Sequence, residues 1–480
     1  MAFTQIMRFW LATTGLVLAA APAHADDLRD ALISAYDSNP SLQAARANQR
    51  AVDEGVPIAR AAALPSLSGT ASYTEALEKS ALSSGLGPDR IFDAQATVTL
   101  PIYSGGAVKN SLRAAEKRVV AGRADLRGSE SSLFSQVVAA YLDVISNAAI
   151  VGLGKKNVQV LTVNLQSTRD RFEIGDLTRT DVAQSQSRLA QARSSLRLSQ
   201  AALAASREKY IQLVGKAPVN LAPPPPLPGL PAAADDAVQS ALDDNPDLIA
   251  ARQRSKAAGY DANAAGAGRL PKISLFSGVD HTDYLKSGIG GLTQRGTSAQ
   301  AGIRATIPIF SGGLPAAQQR QAREREAATL NQEIAVERAV IAGVRSAWSH
   351  WQAANEVLDS NQQAVDAAAL GLEGVRAENT VGSRTILDIL NAEQELLNAQ
   401  VQLVNARRNA YVAGFNLLAV MGKAEARDLG LEGGAMYDPL TNYNRVHAKF
   451  FDWDLNAKPK PKASRTVDTP VQGGSVAEDK

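Results

Sequence analysis

Leu100-Pro101-Ile102-Tyr103-Ser104-Gly105-Gly106 returns 207 positions later as Ile307-Pro308-Ile309-Phe310-Ser311-Gly312-Gly313. Each copy closes an alternating segment. Phe92, Ala94, Ala96, Val98, Leu100 and Ile102 alternate with Asp93, Gln95, Thr97 and Thr99. Ala299, Ala301, Ile303, Ala305, Ile307 and Ile309 alternate with Gln300, Arg304 and Thr306. A period of two marks a strand with one apolar and one polar face. Proline ends such a strand because it has no N–H for the ladder, and the paired glycines bend the chain into the next element. That element is helical: no proline occurs over 107–150 or 158–215. The stretch thus predicts a strand that hands the chain to a long helix, and it does so twice.

Working outward, the whole unit is duplicated. Asn39-Pro40-Ser41-Leu42 recurs as Asn245-Pro246-Asp247-Leu248, and Leu64-Pro65 as Leu270-Pro271. Gly175, Thr178 and Asp181 recur as Gly382, Thr385 and Asp388, and Gly215-Lys216 as Gly422-Lys423. Five landmarks in one order at nearly one spacing define two repeats, 26–222 and 237–424. The proline-rich linker 223–236 joins them as a stiff connector. A segment over 425–456 follows, then a tail over 457–480 whose Lys, Pro, Ser and Asp content predicts disorder.

Asn before Pro is a helix start, so Asn39 and Asn245 each open a helix, with Pro57 kinking the first. Leu67, Gly69, Ala71 and Tyr73 then alternate with small polar residues, giving two strands per repeat. Val182, Leu189, Leu196, Leu203 and Tyr210 fall seven apart, as do Ile389, Leu396, Leu403, Ala410 and Leu417. Beside the latter runs a second row, Leu390, Leu397, Val404, Tyr411 and Leu418. Heptad spacing means helices packed on helices, and two adjacent rows mean neighbours on two sides. A break in the first long helix is expected at Gly152-Leu153-Gly154-Lys155-Lys156. About four strands per chain cannot close a bacterial outer-membrane barrel, which begins at about 8. Left open, they would expose edges and an apolar face. The fold class expected is α+β: long coiled-coil helices, standing as a projecting hairpin or a staved tube, plus about four strands contributed to a transmembrane β-barrel shared with other copies of the chain.

Arg8, the apolar run from Phe9 to Ala21, and Ala23-His24-Ala25 have the layout of a signal peptide over 1–25, so the chain is exported. Beyond residue 26 no run is expected to be apolar enough for a spanning helix. Lys plus Arg is 50 against 48 for Asp plus Glu, a net charge of +2, which supplies no field for nucleic acid. Cysteine is 0 and histidine 4. That excludes disulfides, thiol chemistry and a lipidated cysteine, and leaves little for metal or acid–base work. No Gly-x-Ser-x-Gly elbow is present, so neither an enzyme nor a cofactor is expected. Trp348 and Trp351 are expected on a packed helix face.

Together the duplication, the paired Pro-Ile-aromatic-Ser-Gly-Gly motifs and Val-Gly-Ser-Arg-Thr-Ile-Leu-Asp-Ile-Leu-Asn-Ala over 381–392 resemble the TolC family of outer-membrane efflux and secretion channels, across roughly residues 26–424. The resemblance implies a homotrimer whose four strands per chain close a 12-stranded barrel in outer-membrane lipid, continued by an α-helical tunnel through the periplasm. It also implies two partners, a periplasmic adaptor (membrane fusion) protein and an inner-membrane transporter of ABC or RND type. The lack of cysteine places the chain with the non-lipidated branch, which serves type I secretion and some efflux pumps.

By the same resemblance Asp181, Arg384 and Asp388 make a gate at the periplasmic tip, with Arg384 and Asp181 as partners and Asp388 a carboxylate ring. Asn391 stands where some members carry a further acid. Gly175, Thr178, Gly382 and Thr385 fall where the family meets its adaptor. Turn geometry and helix capping are the plain alternative for all of these. Tyr73, Tyr103, Tyr284 and Phe310 lie near strand ends and are candidates for the aromatic girdle at the lipid boundary, with core packing below the barrel the alternative for Tyr103 and Phe310 beside their Gly-Gly bends. The rival to a channel is a soluble periplasmic coiled-coil adaptor or scaffold, which has no use for alternating strands.

Overall fold

The structure is a computed structural model that describes residues 27–78, 89–285, 294–431 and 436–476. The leader expected over 1–25 lies outside them. The first repeat runs α1 (Leu28–Ser38), α2 (Pro40–Asp53), α3 (Gly55–Ala61), β1 (Ser66–Glu75), β2 (Arg90–Tyr103), α4 (Ala107–Glu173) and α5 (Arg179–Val214). The second runs α6 (Ala234–Asp244), α7 (Pro246–Gly266), β3 (Lys272–Leu285), β4 (Gln294–Thr306), α8 (Leu314–Thr380) and α9 (Ile386–Val420), and α10 (Pro439–Val446) follows.

Asn39 and Asn245 explain how each repeat closes on itself. Each side chain accepts N–H bonds from the first turn of its helix, Ser41 and Leu42 in α2, Asp247 and Leu248 in α7. Its amide then donates to the end of the returning hairpin: Asn39 Nδ2 to Leu213 O at 3.0 Å, Asn245 Nδ2 to Val420 O at 2.8 Å. One residue both starts a helix and ties the repeat's two ends together.

The strands form one antiparallel sheet in the order β1-β2-β3-β4. β1 and β4 are therefore edges. β2 runs on through Pro101 and Tyr103 because β3 supplies Ser274 and Ile273 as partners. In the second copy β4 stops at Thr306, so Ile307, Ile309 and Phe310, which the alternation placed at a strand end, lie beyond it.

α4 and α8 are each 67 residues, about 100 Å of helix. The break expected at 152–156 is not there. Gly152 and Gly154 lie inside α4, and a Cβ at Gly154 would sit 3.3 Å from Leu196 Cδ1, so this glycine serves close helix approach rather than a turn. The spanning-helix expectation also needs correction: α4 holds a window long and apolar enough to cross a membrane by composition. Its apolar residues Leu133, Phe134, Val137, Val138, Tyr141, Val144 and Val151 instead form the main core with α1, α5 and the end of α9. The end of the first repeat and the linker cross this core, where Tyr141 donates to Ala222 O at 2.5 Å and Tyr411 to Pro225 O at 3.0 Å. Trp348 and Trp351 meet edge-to-face at 5.3 Å beside Val344 and Leu417, a packed face as expected.

The tail expected to be disordered carries no helix or strand over 457–476. It is nevertheless laid against the body. Gln472 N–H donates to Glu208, Lys155 donates to Val476 O at 3.1 Å, and Arg207 reaches the carbonyls of Gly473 and Ser475. Main-chain carbonyls, which composition does not count, give those cations their partners.

Candidate functional site: membrane staves and hairpin tips

Cross-strand partners share a face, so the register sorts the sheet into two sides. One carries Leu67, Ala71, Ala94, Ala96, Val98, Leu100, Ile273, Leu275, Val279, Ala299, Ala301 and Ile303, and most of its large side chains are exposed. The other carries Ser66, Ser68, Thr70, Ser72, Asp93, Gln95, Thr97, Asp280, Thr282, Ser298, Gln300 and Arg304. An exposed apolar face and a polar face with its own hydrogen bonds, such as Thr282 to Asp93 at 2.7 Å, make a stave with lipid outside and water inside.

Tyr103 reaches the apolar face through a bulge. Strict alternation from Leu100 would turn it to the polar side. The register slips between Pro101 and Tyr103, and Tyr103 pairs with Ile273, beside the Leu100–Leu275 pair. At the other end Tyr73 pairs with Phe92, which pairs in turn with Asp283. Ile273 and Asp283 mark these two aromatic levels on β3. They are ten residues apart, about 33 Å along the strand, or about 25 Å of height at the usual tilt of roughly 40°. That is the thickness of an outer-membrane apolar band. Tyr284 is different: it pairs with Ile91 on the polar face, so register parity turns it away from lipid. Phe310 lies past the end of β4 and is 88% exposed.

At the far end of the molecule the two hairpins turn at Gly175 and Gly382, with φ +81° and +82°. These left-handed positions suit glycine. Thr178 and Thr385 then cap α5 and α9 with matching capping boxes. Asp181 Oδ2 accepts from Thr178 N–H at 2.8 Å and its hydroxyl at 2.7 Å; Asp388 Oδ2 accepts from Thr385 at 2.9 and 2.8 Å. These bonds hold both carboxyls below the usual aspartate range. The Thr178 hydroxyl is the larger cause at Asp181, and the Thr385 N–H at Asp388.

Within one chain Arg384 pairs with Glu378, Nε to Oε2 at 2.7 Å, which raises the guanidinium pKa further. Asp181 lies on the other hairpin, and no contact between it and Arg384 is seen in a single protomer. Asn391 accepts from Arg188 of α5 at 2.8 Å, bridging the hairpins. Glu393 was not singled out by the sequence reading. It is 7% exposed, paired with Arg376 at 2.9 Å and held by Asn164 Nδ2 at 3.0 and 2.9 Å. Its signal was available: Leu390, Glu393 and Leu397 fall at i, i+3 and i+7, which sets a carboxylate in an apolar row. Among the described residues no three His, Cys, Asp or Glu side chains converge to hold a metal ion.

Staves too few to close, a lipid-facing band and helices about 100 Å long define a shared outer-membrane channel. The chain belongs to the outer membrane efflux protein family, whose model matches residues 32–216 and 237–423, one segment per repeat. It is 34% identical to the outer membrane efflux protein BepC of Brucella suis biovar 1 (strain 1330), over 91% of this chain and 94% of that protein. It is 27% identical to the alkaline protease secretion protein AprF of Pseudomonas aeruginosa, over 88% and 90%. Among solved structures, the Campylobacter jejuni CmeC outer membrane channel superposes with a TM-score of 0.73 at 16% identity, over 88% and 89% of the two chains. The trimeric channel fold and the outer-membrane location follow, and the soluble adaptor reading is set aside.

Proposed function

We propose that three copies form an exit duct that carries cargo from an inner-membrane transporter of ABC or RND type, recruited through a periplasmic adaptor, across the outer membrane. The observation that carries this reading is the continuity of one chain from a lipid-faced stave to two capped tips about 100 Å away. A tube of this kind has no substrate pocket, so the transporter selects the cargo, polypeptide or small toxic compound. Likeness to an efflux protein and to a protease secretion protein supports both classes. Deleting the gene separates them: loss of an exported polypeptide from the medium marks secretion, and sensitivity to dyes or antibiotics marks efflux. Loss of neither sinks the proposal.

The tips form the gate in this reading. Arg384 leaves Glu378 for Asp181 of a neighbouring hairpin, and Asp388 contributes a ring of three carboxylates around the axis. Arg384→Ala or Asp181→Ala then raises single-channel conductance in planar bilayers, and unchanged conductance in both removes the gate. Asp388→Asn weakens block by multivalent cations added from the tip side. Gly175, Thr178, Gly382 and Thr385 are the proposed adaptor contacts; Thr178→Cys and Thr385→Cys are expected to cross-link to a cysteine-bearing adaptor, and no link from either counts against the contact.

A further inference from the structure

Sheet order fixes what meets what when three chains close. With β1 at one edge and β4 at the other, β4 of one protomer lies next to β1 of its neighbour. The elements below follow the same order. α3 leads into β1, α4 leaves β2, α7 leads into β3 and α8 leaves β4, each packing on the next within the chain. α8 of one protomer therefore faces the α2–α3 side of the next.

On that α2–α3 side sits α10, running toward the sheet. Asn442 donates to Asp53 at 2.8 Å, Tyr443 packs with Val56 and Val119, and His447 O accepts from Arg60, six residues before β1. Three residues past His447 comes Phe450-Phe451-Asp452-Trp453-Asp454-Leu455. Its four large apolar side chains are 78, 66, 81 and 79% exposed. The loop is built rather than dangling, because Lys449 pairs with Asp454 at 2.9 Å and Arg445 donates to Asn456 at 2.6 Å. Asp452 makes no ion pair among the described residues.

The opposite edge has the complementary chemistry. Arg320, Arg323 and Arg325 lie six to eleven residues into α8, about 10–17 Å along the helix from its β4-proximal end, on the strand-proximal part of α8 as Arg60 is on the strand-proximal part of α3. All three are exposed and none makes an ion pair among the described residues. Guanidinium groups stack on Trp and Phe faces and fork onto carboxylates. We propose that the Phe450–Leu455 loop of one protomer docks on Arg320, Arg323 and Arg325 of α8 in the next, clasping the trimer below the barrel. The inference rests on the trimeric fold and is independent of gate and cargo.

The chain's lack of cysteine makes the test clean. Asp452→Cys is paired in turn with Arg320→Cys, Arg323→Cys and Arg325→Cys, and trimer formation is checked by size exclusion in detergent. Oxidation is expected to link protomers covalently in at least one pair and in none of the single variants. Intact trimers with no link in any pair overturn the clasp. A second readout needs no cysteine. In the Trp10→Phe, Trp348→Phe, Trp351→Phe protein, Trp453 is the sole tryptophan. In reconstituted trimers its emission is expected to be blue-shifted, shielded from iodide and unaffected by acyl-brominated phospholipid. Quenching by brominated lipid would mean that the loop seats in the membrane surface, and quenching by iodide that it stays in water. Either overturns the proposal.

Discussion

α4 and α8 are the same element written twice, equal in length and each opened by a left-handed glycine, yet they live in different surroundings. α4 buries twenty of its residues within the chain, from Ala114 to Thr168; α8 buries Val344 and Leu372. The difference is position. α4 lies between α5 and α7 with α1, α2 and α3 packed on it, whereas α8 follows an edge strand and has one flank without a neighbour in its own chain. Duplication supplied two similar helices, and placement at the middle or the edge of the protomer decided which serves the fold and which serves assembly.

The largest expected effect follows from that contrast. Phe134 is fully buried in α4, and Phe134→Ala should cost about 3–5 kcal/mol, enough to lose the folded protomer. Ile334→Asp on α8, half exposed in one chain, should leave protomer helicity intact and dissociate the trimer. Circular dichroism and native mass measurement check the pair; equal loss of helicity in both variants would erase the distinction between core helix and edge helix.

Sequence reading succeeded where one side chain's chemistry fixes one local outcome. Asn-Pro gave helix starts, alternation gave strands, and Gly-Gly gave bends. It missed where the answer depends on an element far along the chain. Tyr103 and Tyr284 look equivalent as aromatics near strand ends, yet a bulge visible only against β3 moves one to the apolar face, and parity against β2 leaves the other on the polar face. Gly152 and Gly154 read as a break, but both lie inside α4, and the close approach of Leu196 makes Gly154 a helix contact. At the tips Asp181 and Asp388 were legible as caps. Glu378 was not legible as Arg384's partner, because the turn that brings residues six apart together has no single-residue signature.

A finer version of the comparison sits at the strand-to-helix bends. Gly105 and Gly312 share a left-handed backbone, φ +65° and +61°. A Cβ on Gly105 would lie 2.7 Å from Leu270 Cβ and 3.0 Å from Ala267 O, while one on Gly312 meets nothing within 4 Å. Gly312→Ala should cost only the backbone term, about 1–2 kcal/mol. Gly105→Ala should add overpacking of about 1–3 kcal/mol where the two repeats meet. Thermal unfolding of the two variants side by side ranks them, and equal midpoints would mean that the bend itself, not the contact with the second repeat, sets the requirement for glycine.

The smallest effect concerns the tips, where the two repeats agree in their caps and differ in the sign of their turns. Arg171 on α4 pairs with Asp176 in the first turn, while Glu378 on α8 pairs with Arg384 in the second. Both aspartates of the capping boxes have depressed pKa values. Their contribution to the hairpins is therefore complete above the unfolded aspartate value of about 3.9 and fades as pH falls through the lower folded value. Amide exchange at 176–182 and 383–389 should stay constant from pH 7 to about 4.5, after correction for intrinsic rates, and show lost protection below that. Thr178→Ala and Thr385→Ala remove the hydroxyl and reduce protection already at neutral pH, by about 1 kcal/mol each. Thr178→Ala should also relieve more of the pKa depression than Thr385→Ala, because the hydroxyl bond is the larger cause at Asp181 and the backbone bond at Asp388. Identical acid profiles for the two variants would show that the tips are electrostatically equivalent despite their opposite turns.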